Sequence, residues 1–150
     1  MPKMTGGEAR ACFARARVAT LATADVSGRP HLVPVVFALT GDTLAFAVDH
    51  KPKRSARLKR LENIRANQAL CLLVDAYDED WDRLWWARAD GTGRVLPAAG
   101  SSGQSGQSGR YVALLAEKYR EQYAGRPPRG PVVEITVERW SGWRAGAADA

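Results

Sequence analysis

The sequence predicts a mainly β protein, a small antiparallel barrel carrying a few helices. Three observations support this. About six segments of strand length follow one another, most of them are joined by turns too short for a crossover helix, and helical periodicity is confined to segments before or between them. A doubly wound sheet would instead alternate strands with helices, and neither a Gly-x-Gly-x-x-Gly turn nor a P-loop is present.

Thr5-Gly6-Gly7-Glu8 has the spacing of a capping box, and Ala9, Cys12, Phe13 and Ala16 recur at helical intervals. The chain therefore opens on a short amphipathic helix that covers an end of the core. Val18 to Thr23 reads as a strand, Ser27-Gly28 as a turn, and Pro30 to Leu39 as the second arm of a hairpin. Pro30 and Pro34 lack N–H donors, which places that arm at an edge, at a bulge, or where something other than a strand faces its backbone. Thr40-Gly41-Asp42 is a tight turn leading into a third strand, Thr43 to Asp49. From Ser55 to Asn67, Leu58, Leu61 and Ile64 form one apolar stripe of a helix capped by Ser55, with Arg57, Lys59, Arg60 and Arg65 on the remaining surface.

Ala69 to Val74 is a continuous apolar run, expected to be a strand covered on both faces near the centre of the sheet. Asp75 to Asp82 is an acidic loop carrying Tyr77 and Trp81, without the ligand rhythm or the glycine of a calcium loop. Leu84 to Val95 makes a fifth strand with a bend or bulge at Gly91 and Gly93. Its adjacent Trp85 and Trp86 must point to opposite faces, so one belongs to the core. Ala98 to Gly109 is a low-complexity, linker-like segment and is assigned no function. Arg110 to Tyr123 is helical, with Val112, Leu115 and Tyr119 on one stripe, and Pro127-Pro128 ends it. The last strand, Pro131 to Trp140, is followed by Ser141-Gly142-Trp143-Arg144, an aromatic–cation pair on a glycine turn.

With 150 residues, 45% hydrophobic and 25% charged, the chain is expected to form one domain, residues 1–150, large enough to fold without staples. A net charge of +6 implies an acidic partner, whether nucleic acid, anionic membrane or a phosphorylated small molecule. Cys12 and Cys71 form no metal-ligand spacing, no apolar leader opens the chain, and nowhere do eighteen apolar residues run together. A reduced, soluble, cytoplasmic protein without a metal is the expectation. Single-strand binders interleave aromatics with cations along a groove, whereas here the cations cluster at one turn and helix, so neither nucleic acid nor membrane is the expected partner.

That cluster lies in Phe46 to Leu58, where a strand runs through the basic turn Lys51-Pro52-Lys53-Arg54-Ser55 into a helix. Free backbone N–H groups, a helix dipole and cationic side chains would converge there, an arrangement suited to phosphate. The same run would also serve as a solvated turn. Of the two histidines, His50 stands beside Lys51 and His31 at a strand start, and neither has a recognisable nucleophile beside it. So little acid–base machinery points to a bound cofactor that carries the chemistry, with the protein supplying binding and orientation.

Val18 to Thr23, Gly28 to Val35, Lys51 to Ser55, Leu84-Trp85-Trp86 and Trp143-Arg144, in that order, resemble the flavin- and deazaflavin-dependent split-barrel family related to pyridoxamine 5′-phosphate oxidase. Specifically, the chain is similar to the actinobacterial branch that uses coenzyme F420. The resemblance implies an FMN-binding-type split barrel, a six-stranded antiparallel Greek-key barrel, paired as a homodimer with two cofactor sites at the subunit interface. It further implies that Pro34, Val35 and Val36 line the ring system, with Ala47 and Val48 beside it. Lys53, Arg54 and Ser55 would hold phosphate, and Lys51 of the same basic turn joins them as a cofactor-binding candidate. Trp143 and Arg144, with Trp85 or Trp86, would come from the partner chain. The carboxy-terminal Arg/His arrangement of the family members that oxidise pyridoxamine phosphate is not found.

The cation run continues through Arg57, Lys59 and Arg60, more charge than one phosphomonoester needs. Coenzyme F420, with a phosphodiester and a glutamate tail, would use it, and FMN is the alternative. The expected activity is hydride transfer between reduced F420 and a small conjugated organic substrate. The alternatives are an FMN-dependent oxidoreductase of the same fold, or a carrier that binds the cofactor without turnover.

Overall fold

A computed structural model describes residues 3–48, 58–99 and 106–146. Its first element is α1 (Gly6–Arg15), closed at its N-terminus by the capping box read from the sequence: Thr5 Oγ1 accepts from Glu8 N–H, and Glu8 Oε1 accepts from Thr5 N–H. Ala9, Cys12 and Phe13 are its buried face. Then come β1 (Ala19–Ala24), β2 (Pro30–Val35), β3 (Ala38–Thr40), β4 (Thr43–Ala47), α2 (Lys59–Ala66), β5 (Ala69–Ala76), β6 (Trp85–Leu96), α3 (Gly106–Lys118), α4 (Arg120–Tyr123) and β7 (Val132–Arg144).

Among the described residues the strands form one seven-stranded sheet in the order β2-β1-β5-β6-β7-β4-β3, with every neighbouring pair antiparallel. The mainly β, antiparallel class expected from the sequence holds. One face of each long strand is buried: Leu21 of β1, Leu72 of β5, Ala87 and Ala89 of β6, and Val133 and Ile135 of β7 meet Phe13, Phe37 and Phe46 in a single cluster. Phe13 packs edge-on against Phe37 at 5.9 Å and against Trp140 at 5.3 Å, so α1 closes the core as the sequence suggested. Thr23 and Asn63 are the buried polar pair, joined by a 3.0 Å bond from Asn63 Nδ2 to Thr23 Oγ1.

Several boundaries differ from the sequence reading, each for a visible reason. The strand expected over Pro30 to Leu39 is two, β2 and β3, which makes seven strands where six were expected. At the break, Phe37 N–H donates to Tyr119 Oη at 3.2 Å, and Phe37 C=O accepts from Lys118 Nζ at 2.9 Å. A helix end therefore satisfies backbone groups that a strand would otherwise pair, which is one of the situations foreseen from the prolines. The helix expected from Ser55 begins at Lys59, with Leu58 as an N-cap that makes no side-chain cap bond, while Leu61 and Ile64 are fully buried as expected. Ser55 lies outside the described residues.

β5 is covered on one face only. Leu70, Leu72 and Val74 are buried, whereas Ala69 and Leu73 are exposed and Cys71 is half-buried, so the unbroken apolar run overstated its coverage. The bulge expected at Gly91 lies between Asp90 and Gly91, where an added Cβ would come within 2.1 Å of Thr136 O. Of the low-complexity segment, Gly106 to Gly109 are helical, because Gln107 Nε2 bonds Glu134 and Ser108 Oγ donates to Pro97 O at 2.6 Å. The helix expected over Arg110 to Tyr123 is α3 and α4, interrupted at Tyr119. Ser141 to Arg144 is not a turn. It continues β7, pairing Gly142 with Ala87 and Trp143 with Trp86, and an added Cβ at Gly142 would meet Met4 Sδ at 2.7 Å. No helix among the described residues is long and apolar enough to cross a membrane.

Candidate functional site

The end of β2, the end of β4, the start of α2 and the α3–α4 segment line a cavity of about 630 Å³. Its lining is Pro34, Val35 and Val36 from the β2 edge, Phe46 and Ala47 from β4, Arg60 from α2, and Tyr119, Gln122, Tyr123 and Arg126 from the helical side. This volume lies in the range of small-molecule and cofactor sites. Among the described residues β2 is an edge strand, so part of its main chain has no strand partner there and is available to a ligand.

The helical wall is held by two polar anchors on either side of an apolar seam. Near the start of α3, Glu134 of β7 accepts from Tyr111 Oη at 2.6 Å, Arg94 Nε at 2.6 Å and Gln107 Nε2 at 2.9 Å. Burial pushes the Glu134 carboxyl up, but these hydrogen bonds and the Arg94 charge outweigh it and lower its pKa to about 2. Tyr111 and Leu115 then pack on β3, β4 and Val132. At the far end the Tyr119 hydroxyl is shared between the carbonyls of Arg17 at 3.0 Å and Phe37 at 3.1 Å, with the Arg17 guanidinium over its ring at 4.6 Å. Lys118 Nζ sits 3.8 Å from the centre of the Phe37 ring. Burial, aided by the Arg17 charge, lowers the pKa of Lys118 to about 8.

Four residues singled out in the sequence, Pro34, Val35, Val36 and Ala47, meet in this cavity although they come from the end of β2, the residue after it and β4. Val48 is buried beside it rather than lining it. Its N–H donates to Pro131 O at 2.9 Å, and its carbonyl accepts from Gly130 N–H at 3.1 Å. Lys51, Lys53, Arg54, Ser55 and Arg57 lie outside the described residues, as does His50, while Ala47 and Arg60 on either side of that segment both line the cavity.

None of the four residues expected at the opposite side of the site lines this cavity in the single chain. Trp85 faces the core and lines a second cavity of about 220 Å³ with Cys12, Arg17 and Val74. Trp86 and Trp143 pair across β6 and β7 on the outer face of the sheet, with Arg88 over the Trp86 ring at 5.9 Å, and Arg144 lies 3.8 Å from Glu8. His31 pairs with Thr23 on β1 and leaves a buried Nδ1 without a partner.

Sequence reasoning left Arg60 open between helix surface and a contact for the anionic tail of F420, and it missed Gln122, Tyr123 and Arg126. A signal existed for Arg60. It immediately precedes Leu61 and stands four residues before Ile64, so it borders the buried stripe, and burial pulls its pKa below the ordinary arginine value. Its Nε is buried with no hydrogen-bond partner among the described residues. An apolar floor, an open main-chain edge and a guanidinium awaiting an acceptor fit a planar ring system that carries an anionic group.

Comparison with known proteins agrees with the fold. The family profile described as pyridoxamine 5′-phosphate oxidase matches residues 5–144. Among solved structures, an FAD-binding protein from Mesorhizobium loti superimposes with a TM-score of 0.71 at 20% identity, covering 95% of this chain and 96% of its own. A conserved hypothetical protein from Mycobacterium tuberculosis gives 0.69 at 18% identity, covering 94% and 85%. HutZ, the heme storage protein from Vibrio cholerae, gives 0.63 at 13% identity, covering 88% and 89%. At these identities the likeness is one of fold. No curated protein matches the chain.

Proposed function

The chain belongs to the pyridoxamine 5′-phosphate oxidase family, and from that premise we propose that it is an oxidoreductase holding a flavin-type ring in the cavity beside β2. The cofactor is coenzyme F420, with FMN as the alternative. The observation that carries this reading is the gathering of Pro34, Val35, Val36 and Ala47 around one cavity with the unsatisfied Arg60. When bound, the ring would supply hydride transfer to or from a small conjugated organic substrate. The protein's part is to align that substrate and exclude water. The surplus of cations on and beside the segment joining Ala47 to Arg60 favours F420, whose tail is longer and more anionic than that of FMN.

A second copy of the chain completes the site in this reading. Leu32 and Leu73 are 65% and 36% exposed, and Trp143 Nε1 and Ser141 Oγ are buried without partners, so this side of the sheet is suited to a partner surface. Trp86, Trp143 and Arg144, with Trp85 behind them, would then approach the partner's cavity. A carrier without turnover would use the same residues, and reduction of a substrate in the presence of reduced cofactor separates the two.

Titration with F420, FMN and FAD followed by fluorescence tests the cofactor. Tight FMN binding with no response to F420 would overturn the choice. Replacing Lys53 and Arg54 together by alanine removes two charge-assisted contacts of roughly 1.5–3 kcal/mol each, so affinity should fall at least tenfold. Lys59→Ala is the control, since Lys59 lies 3.9 Å from Asp25 and does not line the cavity. Equal losses in both variants would indicate general attraction instead of a local phosphate site.

A further inference from the structure

Two walls of the cavity meet at Phe37. Val35 and Val36 line it from the β2 edge and Tyr119 from the helical side, and Phe37, which follows Val36, is fully buried against Tyr119. Phe37 N–H donates to the Tyr119 hydroxyl at 3.2 Å, and that hydroxyl shares its single proton between the carbonyls of Phe37 at 3.1 Å and Arg17 at 3.0 Å. Lys118 Nζ donates to the same Phe37 carbonyl at 2.9 Å while facing the Phe37 ring. Arg17 closes the circle, because its Nη1 donates to Lys118 O at 3.1 Å and its guanidinium lies over the Tyr119 ring.

A main-chain edge can hold a ring only if it stands at a fixed distance from the opposite wall. Val36 and Phe37 belong to neither β2 nor β3, so no ladder fixes them, and the bonds from Tyr119 and Lys118 do what a ladder would. We propose that Tyr119 and Lys118 are positioning residues: their clamp on Phe37 holds the Val35–Val36 edge at the spacing from the helical wall that a planar ring system requires. The clamp deepens the cofactor reading above and rests on its choice of cavity. It is separate from the phosphate role assigned to Lys53 and Arg54.

The clamp is linked to a proton. Burial, aided by Arg17, lowers the Lys118 pKa to about 8, and release of the side chain to solvent returns it toward the ordinary 10.5. A bound proton therefore favours the open clamp, and the clamp tightens as pH rises through that interval. Other ionisable groups on the surrounding elements are engaged elsewhere or exposed. Glu117 and Arg120 pair with each other, Glu121 is exposed, Arg15 reaches toward Cys12, and Glu134 is held by Tyr111 and Arg94 at the far end of α3. Tyr123 packs edge-on against the Tyr119 ring, and β3 and β4 contribute no ionisable side chain. Burial raises the Tyr119 phenol above its ordinary 10, so it keeps its proton below that pH.

The test uses the whole protein with F420 and with riboflavin, a ring without phosphate. Tyr119→Phe keeps the aromatic ring and leaves Phe37 N–H without its partner, so affinity for the bound ring should fall about fivefold or more at pH 7. Raising the pH from 7 to 9 should then restore most of that loss. The open share falls several-fold over this range, up to about tenfold before solvent screening at the half-buried Lys118 is taken off. Tyr119→Phe combined with Lys118→Met should show the loss without the recovery, and comparing the two variants in the same buffers cancels the ligand's own titration. A tyrosine that served only the fold would not make affinity follow a lysine proton.

Hydrogen exchange of the ligand-free protein reads the clamp directly. The Phe37 amide should be less protected than that of Leu72 in the core, and its protection should rise between pH 7 and 9 in wild type but not in Lys118→Met. These two profiles also decide the matter if Tyr119→Phe does not fold. Unchanged affinity in Tyr119→Phe, a pH response that survives in the double variant, or a Phe37 amide that opens only together with Leu72 overturns the clamp. Failure of the wild type to bind either ring, with Phe37 exchange still following Lys118, overturns the cofactor reading and retains the clamp on the edge.

Discussion

Replacing Glu134 by glutamine tests whether the helical wall of the cavity is held by a charge. The carboxylate is only 11% exposed and accepts from Tyr111, Gln107 and Arg94. Its pKa of about 2 in the folded protein, against an ordinary 4.5, means that folding favours the ionised form over the protonated one by about 3 kcal/mol. Glutamine copies the protonated form in shape, keeps an acceptor for Tyr111 and loses the charge opposite Arg94. Urea unfolding at pH 7 should therefore show a loss of about 2–3 kcal/mol.

The sign of the pH effect is set by the depressed pKa. The contribution is fully present above about pH 4.5 and fades as pH falls toward about 2, because the unfolded chain binds the proton first. The wild type should lose this increment across that window, and Glu134→Gln should not. Hydrogen exchange at Tyr111 to Leu115 should accelerate in the variant, since that part of α3 is the part tied to β7. A variant within about 0.5 kcal/mol of wild type, or one with an unchanged acid slope, would refute the charge anchor.

Lys118 gives the opposite pH dependence. Its pKa of about 8 lies below the ordinary 10.5, so the unfolded chain holds the proton longer and stability should rise between about pH 8 and 10.5. Lys118→Met should abolish that rise in denaturant titrations, and persistence of the rise would assign it to another group. The proposed assembly makes a simpler prediction: light scattering at micromolar concentration should give the mass of two chains, and a monomer would sink the shared-site model.

Local chemistry alone determined much of this protein. The Thr5/Glu8 capping box, the Leu61/Ile64 stripe and the Gly91 bulge depend on neighbours a few residues apart or on period-two alternation, and the sequence contains all of that information. The opposite orientation of Trp85 and Trp86 likewise follows from strand pleat. Family resemblance added Pro34, Val35, Val36 and Ala47, which do share a cavity.

Tertiary structure alone decided what depends on contacts across long sequence separations. Whether Ala69 to Val74 is covered on two faces or one depends on which elements pack over the sheet, and hydrophobicity does not report that. The division of β2 from β3 is set by Tyr119 and Lys118, 81 or 82 residues away, whose side chains replace a strand partner at Phe37. Along the chain Arg60 reads equally as solvated helix surface or as a contact for an anionic tail, because a solvated arginine and one that lines a cavity have the same sequence. Only folding α2 against the cavity distinguishes the two, by removing the solvent that would otherwise satisfy the Arg60 Nε.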